Sequence, residues 1–167
     1  MSKTRGFEVV DNKHRTNFDV FKDDKGKSHK FPKSVKLPTR ADKGSSGYDF
    51  YLPKDIMVLP YDKKLIWTDV KAYMQEDEEL LLFIRSSLAV KHGITLANAV
   101  GKIDSSYYNN ESNGGNIGIV LVNNTGRAVE LKEGDRIAQG TFYKYLLADE
   151  DNTLHEERIG GIGSSDR

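Results

Sequence analysis

The sequence predicts an all-β sandwich or barrel, and two observations lead to this prediction. From Val35 onward, short apolar and β-prone runs follow one another closely, with turn residues between them. A single segment carries the start and stop signals of a helix. The predicted strands lie, in order, within YDFYLP, IMVLP, KLIWTDV, KAYM, ELLLFI, GITLANAV, GNIGIVLVN, RAVEL and QGTFYKYLL.

Composition narrows the class of protein. The chain has 167 residues, enough for one domain with a sizeable core, and its 25 basic residues balance 25 acidic ones. A formal net charge of zero argues against a protein that binds nucleic acid or a membrane surface. The lack of cysteine excludes disulfides, thiolate metal sites and a cysteine nucleophile. Because no run approaches a membrane span and no secretion signal is visible, we expect a cytoplasmic protein.

Residues 1–36 are mostly polar and contain two short apolar pieces, Phe7 to Val10 and Phe18 to Phe21. The stretch FKDDKGKSHKFPKS has the charge, glycine and proline of a turn or an exposed loop. We therefore interpret residues 1–36 as an N-terminal extension that adds a strand or two to the core domain, residues 37–157.

The helix is predicted over Ser87 to His92. Ser86 or Ser87 is expected to cap its first N–H groups, and Gly93 suits the left-handed position that ends a helix. Arg85 directly precedes this helix, so free N–H groups and a guanidinium together would form an anion site. An ordinary cap beside a surface arginine explains the same residues.

A β-hairpin is predicted from two alternating runs, Ile94 to Ile103 and Ile117 to Val122, which flank a segment rich in Asn, Ser and Gly. Asp104 ends the first run, and Tyr107 follows three residues later. An acid in this position can activate a water next to a ring-shaped substrate. A solvated hairpin with an Asp turn is the plainer alternative.

The C-terminal segment, residues 158–167, is rich in Gly and Ser and carries Arg158 and Arg167. Such segments are commonly disordered ends. The functional alternative is an arm whose backbone amides and arginine close over a phosphate.

The order of five segments is more specific than any one of them. SSGYDFYLP, IRSSLAVKHGI, ANAVGKIDSSY with GIVLVNN, EGDRIAQ and RIGGIGSS follow one another along the chain. This order resembles the five motifs of the trimeric deoxyuridine triphosphatases (dUTPases), over roughly residues 35–167. The resemblance implies a jelly-roll-like distorted β-barrel with one short helix, assembled as a homotrimer with shared active sites. It also implies hydrolysis of dUTP to dUMP and pyrophosphate, with Mg²⁺ bound to the triphosphate.

The third motif carries the residues that would meet the base and the attacking water. By resemblance, Asp104 orients and activates the water, and Asn98 reads the uracil edge. Gly118 contacts the base from the opposite strand, and Tyr107 packs on the deoxyribose where a 2′-hydroxyl would otherwise fit. The same stretch lines the substrate at Lys102 and Ile103.

The resemblance assigns the phosphates to the second, fourth and fifth motifs. In the second motif, Ser86 would also contact the bridging oxygen of the leaving pyrophosphate. Asp49 either holds a Mg²⁺-bound water or pairs with Arg136 as a structural brace, and the brace is the role we expect for Arg136. The residues assigned to the phosphates are Arg85, Ser86, Ser87, Gln139, Arg158 and Ser164.

The sequence departs from the family pattern at two places. An insertion, YNNESNG, lies between Tyr107 and Gly115, where it would alter base selection or recruit a protein partner. In the fifth motif Ile162 takes the place of the aromatic lid residue that stacks on uracil. The aromatic residues that are candidates to replace it are Trp67, Tyr48 and Tyr108.

Two other functions compete with dUTP hydrolysis. A dCTP deaminase shares the fold and the Arg-Ser-Ser motif but needs a catalytic Glu where this chain has Val120. A regulatory nucleotide-binding module would use the insertion and the N-terminal extension as docking surfaces. Turnover separates the regulatory module from a dUTPase, because a pure binder would hold dUTP without releasing pyrophosphate.

Overall fold

The computed structural model describes residues 3–152, in which fourteen β-strands and one α-helix are formed. None of the helical segments in this range is long and apolar enough to cross a membrane. The elements are β1 Gly6–Val9, β2 Phe18–Lys22, β3 Ser28–Pro32, β4 Thr39–Arg40, β5 Tyr48–Tyr51, β6 Ile56–Val58, β7 Lys63–Trp67, β8 Val70–Tyr73, β9 Glu78–Ile84, α1 Ser86–His92, β10 Ile94–Leu96, β11 Gly101–Asp104, β12 Gly118–Asn123, β13 Val129–Leu131 and β14 Arg136–Lys144.

Antiparallel sheets make up the fold, which confirms the predicted all-β, jelly-roll-like class. The largest sheet has the order β11-β9-β14-β5-β4, and a three-stranded sheet has the order β10-β12-β7. Smaller ladders join β1 to β8, β13 to β6 and β2 to β3. Burial alternates along β9 and β12, so every second side chain points into the core, as a period of two requires.

The core lies between these sheets and consists of the alternating apolar residues that mark the strands in the sequence. Phe50, Leu80, Leu121 and Ile137 are at most 1% exposed. Burying each such side chain contributes about 1.5–3 kcal/mol of hydrophobic free energy. The sheets are therefore held face to face by the residues that predict them.

The N-terminal extension contributes a strand to the core, as expected. β1 pairs with β8, and the Phe7 ring packs edge-on against Phe50 at 5.6 Å between ring centroids. The expectation of a loop at residues 21–34 is wrong in part, because this stretch folds back as β3 on β2. Asp23 and Gly26 form the turn, with Gly26 at φ +76°. Both strands are almost wholly exposed, so no apolar alternation marks β3.

The predicted hairpin is wrong in its pairing. The run Ile94 to Ile103 is two strands, since a turn at Ala97–Val100, with Ala99 at φ +57°, divides β10 from β11. β10 pairs with β12, but β11 leaves for the other sheet and pairs with β9. The turn contains neither glycine nor proline, so alternation alone reads through it.

The predicted helix is confirmed with a different start. It begins at Ser86, and Arg85 holds the N-cap position with extended backbone and no side-chain cap hydrogen bond. The expected serine cap is therefore wrong, because both serines lie within the first turn. Gly93 ends the helix in the left-handed conformation at φ +63°, as predicted.

Candidate active site

A cavity of about 400 Å³ opens where β11 separates from β12. This volume is within the range of small-molecule sites. Its floor and walls are mostly apolar, with Leu82 and Ile119 among them. The residues predicted from the third motif that line it are Asn98, Lys102, Ile103, Tyr107 and Gly118.

The divided strand explains why these residues meet. Asn98 lies in the turn between β10 and β11, and the neighbouring Ala97 N–H donates to the Val120 carbonyl at 3.0 Å. Gly118 begins β12 opposite Trp67. A side chain at Gly118 would place its Cβ 3.0 Å from the Trp67 ring, so only glycine leaves that contact unstrained. The turn directs β11 away from β12, and Gly118 places no side chain in the space between these two strands.

Tyr107 forms the inner wall of the cavity. It ends a single turn of 3-10 helix, Ser105–Tyr107, and is 4% exposed. Its hydroxyl donates to the Asn116 carbonyl at 2.9 Å and accepts from the Asn113 side chain at 2.8 Å. The ring is thus held at its far end by the inserted segment.

Asp104 directly follows Ile103, which lines the cavity, and is the last residue of β11, where the sequence predicts a strand end. Its carboxylate is 43% exposed and lies 3.8 Å from the Lys102 ammonium. A hydrogen bond to Glu79 raises the pKa of Lys102, which keeps this side chain cationic. Asp104 therefore has the access to water that a carboxylate needs in order to take a proton from it.

A second group of predicted residues forms around buried Asp49, which is 2% exposed. Asp49 of β5 pairs with Gln139 of β14, and Ala138 of β14 pairs with the last residue of β9. Because Arg85 directly follows β9, it lies next to Asp49 and Gln139. Arg85 Nη1 donates to one oxygen of Asp49, and Arg136 Nη1 lies 3.3 Å from the other. The expected contact between Asp49 and Arg136 is present. The pairing of Asp49 with Arg85 was not predicted.

The two groups are separate in a single chain. Arg85, Ser86, Ser87 and Gln139 do not line the cavity that Asn98 and its neighbours enclose. Within residues 3–152 the site is therefore divided into a mostly apolar cavity and a cationic cluster, which consists of Arg85 and Arg136 around Asp49 with the neighbouring Ser86, Ser87 and Gln139. The two remaining predicted residues, Arg158 and Ser164, lie outside the described residues.

Among the described residues, the carboxylates near the cavity and the cationic cluster do not form a metal site by themselves. Within residues 3–152, no three His, Asp or Glu side chains are grouped so that they alone could hold a metal ion. Asp49 already accepts from two guanidinium groups. Mg²⁺ commonly binds through one carboxylate or its water together with substrate phosphates. The residues fit an ion that arrives on a triphosphate, with Asp49 contributing at most through water.

The insertion packs inward against the N-terminal extension. The Tyr108 hydroxyl donates to Glu8 at 2.7 Å, and burial together with this bond raises the pKa of Tyr108 to about 12. Tyr48, another candidate for the lid aromatic, packs edge-on against Phe7 at 5.3 Å. Trp67, the third candidate, lies opposite Gly118 in the ladder but lines a different, smaller cavity of about 160 Å³.

Sequence reasoning missed the polar residues behind the cavity. No catalytic pattern marks these residues in the sequence. Asn113 and Asn116 form hydrogen bonds with the Tyr107 hydroxyl, and Asp69 forms one with Asn116. One signal was available: Asn110, Asn113 and Asn116 recur every three residues in a segment otherwise typical of a turn.

Known proteins share this fold and resemble this sequence over most of its length. A family model described as dUTPase matches residues 33–166. A deoxyuridine 5′-triphosphate nucleotidohydrolase of Lactococcus lactis is 38% identical over 164 residues, covering 98% of both chains, so the likeness extends through the N-terminal extension. The crystal structure of a dUTPase from Streptococcus mutans is 36% identical, covers 86% of this chain and 98% of its own, and superposes with a TM-score of 0.70.

A more distant structure shares the fold alone. It is a mutant dUTPase from phage phi11 of S. aureus, 20% identical with a TM-score of 0.64, covering 92% of this chain and 99% of its own. Its description names a structural Mg(II) ion. With the family model matching residues 33–166 and a 38% identical relative covering 98% of the chain, this protein belongs to the dUTPase family.

Proposed function

We propose that this dUTPase-family enzyme hydrolyses dUTP to dUMP and pyrophosphate by attack of an Asp104-activated water on the α-phosphorus. The observation that carries the proposal is the cavity that gathers Asn98, Tyr107 and Gly118, with Asp104 directly after a lining residue of β11. An apolar cleft with a few convergent polar groups beside an accessible carboxylate is the arrangement that this reaction needs.

Uracil is the base that the cavity suits. The Asn98 amide offers both a donor and an acceptor to a pyrimidine edge. The Gly118 backbone faces the same cavity without a side chain in the way. We expect the cavity to exclude a thymine methyl, and cytosine would leave buried polar groups unpaired, which discriminates more strongly than the loss of an apolar contact does.

The proposed chemistry is an in-line displacement. Asp104 takes a proton from water as the water oxygen bonds to the α-phosphorus, and the bond from that phosphorus to the bridging oxygen of pyrophosphate breaks. Lys102, at 3.8 Å from Asp104, holds a positive charge beside the carboxylate. Asp49 would hold a substrate-bound Mg²⁺ ion through a water, and the ion would neutralise phosphate charge.

The phosphates meet the cationic cluster. Arg85 presents a planar fork of donors, held by Asp49 and still 22% exposed. Ser86 and Ser87 add hydroxyl groups at exposed positions, and Gln139 adds an amide. Arg158 and Ser164 complete the phosphate contacts as parts of a C-terminal arm.

A homotrimer explains how the divided site becomes whole. In one chain the cationic cluster does not line the cavity. In a homotrimer a second subunit would bring its Arg85 to the first subunit's Asp104. Closed symmetric assembly repeats such a shared site once per interface. A sedimentation measurement that finds a stable monomer with full activity would exclude shared sites.

The competing functions fit the cavity less well. Val120 lines the cavity with an apolar side chain where a dCTP deaminase needs an acid. A protein partner at the insertion has less support, because two asparagines in and beside it are buried: Asn110 is 6% exposed and the adjoining Asn116 is 1% exposed.

The test is pyrophosphate release from dUTP, dTTP, dCTP and UTP, measured in parallel with Mg²⁺. The proposal predicts rapid release from dUTP and little from the other three. Ammonia release from dCTP would instead support the deaminase. Tight binding of dUTP with no product would support the regulatory module.

A further inference from the structure

The inserted segment folds around Tyr107. We name Asn110, Asn113 and Asn116 the asparagine brace. Asn110 Nδ2 donates to the Tyr107 carbonyl at 2.9 Å, and Asn113 Nδ2 donates to the Tyr107 hydroxyl at 2.8 Å. The same hydroxyl donates to the Asn116 carbonyl at 2.9 Å. The brace therefore holds this tyrosine at both its backbone and its far end.

The brace is internally connected. The Asn113 side-chain oxygen accepts from Asn110 Nδ2 at 2.8 Å and from the Gly115 N–H at 3.0 Å. Asn110 Oδ1 in turn accepts from the Ser112 hydroxyl at 2.8 Å. Each amide thus uses both its donor and its acceptor, which fixes its orientation.

A fully buried carboxylate anchors the brace to the barrel. Asp69, at 0% exposure and φ +57°, turns the chain from β7 into β8. Its N–H donates to Asn116 Oδ1 at 2.9 Å, and its Oδ1 accepts from Asn116 Nδ2 at 3.0 Å. This reciprocal pair fixes the residue whose carbonyl receives the Tyr107 hydroxyl.

The N-terminal extension supplies the other partners of Asp69. Arg15 Nε donates at 3.1 Å, the Thr16 N–H at 2.9 Å and the Asn17 N–H at 3.0 Å. A continuous path of hydrogen bonds therefore runs from the extension through Asp69 and Asn116 to the tyrosine in the cavity wall.

We propose that Asp69 and the asparagine brace are positioning residues that fix the Tyr107 ring against a 2′-hydroxyl, and that the N-terminal extension supports them. The inference rests on the proposed function, since it takes Tyr107 to be the wall on the deoxyribose side. A ring held by two hydrogen bonds at its tip cannot retreat from an extra oxygen. A ring without them can turn away and admit a ribonucleotide.

The decisive comparison uses two buried asparagines, one two residues before β12 begins and one at its last residue. Asn116→Ala removes the anchor of the brace. Asn123→Ala is the matched control, because Asn123 is 0% exposed and its amide donates to the Val58, Leu59 and Arg127 carbonyls. Asn123 lies about 17 Å along the strand from Gly118, at about 3.4 Å per residue.

The readout is the ratio of kcat/KM for dUTP to that for UTP, with the melting temperature of each variant. Both substitutions are expected to lower the melting temperature. Asn116→Ala alone is expected to lower the ratio, by about tenfold, chiefly through a better reaction with UTP. An unchanged ratio in folded Asn116→Ala, or an equal fall in both variants, would overturn the inference.

Milder variants protect the test against misfolding. Asn113→Ala removes a half-buried donor to the hydroxyl, and Tyr107→Phe removes the hydroxyl but keeps the ring. Their effects on the ratio should not add in the double variant, because both break the same hydrogen bond, from Asn113 to the Tyr107 hydroxyl. Thr16→Val, which removes a hydroxyl that donates to Asp69 at 2.7 Å, should lower the ratio by a smaller factor. Additive effects, or a ratio that Thr16→Val leaves unchanged, would contradict the path.

The unmodified protein, assayed in the same experiment, separates this inference from the proposed function. If it fails to release pyrophosphate from dUTP, the function falls and the inference falls with it. If it prefers dUTP strongly and the brace variants keep that preference, only the inference is refuted.

Discussion

Replacing Asp69 by asparagine should destabilise the protein strongly, although the two side chains have the same shape. Asp69 accepts five hydrogen bonds. Three reach Oδ1, from the Thr16 N–H, the Thr16 hydroxyl and Asn116 Nδ2, and two reach Oδ2, from Arg15 Nε and the Asn17 N–H. An asparagine must place its NH₂ group at one of these positions, where it faces at least two donors in either orientation.

The magnitude follows from those contacts. Two buried donors without acceptors cost about 1–3 kcal/mol each. Arg15, only 7% exposed, also loses its counter-charge, and breaking a buried ion pair from one side costs about 3–5 kcal/mol. These terms overlap, so we expect a loss of about 3–5 kcal/mol in the free energy of unfolding.

Urea unfolding at fixed protein concentration measures this loss. With a denaturant slope of about 2 kcal/mol per molar, the midpoint should fall by about 2 M. Asp55→Asn is the matched control, because Asp55 also accepts from a backbone N–H and a cationic side chain but is 60% exposed. It should leave the midpoint nearly unchanged. A loss below about 1 kcal/mol in Asp69→Asn would refute the account of this network.

Four further predictions follow from the site and the charges. Asp104→Asn should lower turnover by about a hundredfold or more while nucleotide affinity, measured by calorimetry, stays the same; retained turnover would remove Asp104 from its role. Asp49→Asn should raise KM for dUTP by about tenfold, because Arg85 loses its anchor; an unchanged KM would show that the anchor is dispensable. Burial raises the pKa of Asp69, but its hydrogen bonds outweigh burial and leave this pKa below its usual value. The stabilisation from Asp69 is present above the unfolded-state pKa of about 4 and is lost on acidification. As the pH is lowered through about 4, the urea midpoint should therefore decrease, and it should decrease less steeply with pH in Asp69→Asn. Equal slopes in the two proteins would contradict this. Truncation before Arg158 should reduce turnover more than the melting temperature; normal turnover would exclude the arm.

Much of the fold follows from local patterns in the sequence. Alternating residues such as Leu80 and Leu82 mark a strand with one buried face, and that pattern holds in β9. The pattern fails where burial does not enforce it: β3 is exposed, so nothing in its composition separates it from a loop. It also fails at Ala97–Val100, where the chain changes sheets without a glycine or a proline.

The candidate site divides in the same way. Motif order identifies Asn98, Tyr107 and Gly118, which the structure brings to one cavity. The contact between Asp49 and Arg85 depends on the register of β5, β14 and β9, which are distant in sequence. Asp69 reads as an ordinary turn residue, because its partners lie more than forty residues away on either side.

The most direct test of the central claim is hydrolysis of dUTP in water labelled with heavy oxygen, followed by mass measurement of both products. Attack on the α-phosphorus by a water that Asp104 activates predicts the label entirely in dUMP. Label in pyrophosphate would mean attack at a different phosphorus and would contradict the assignment of the cavity and its carboxylate.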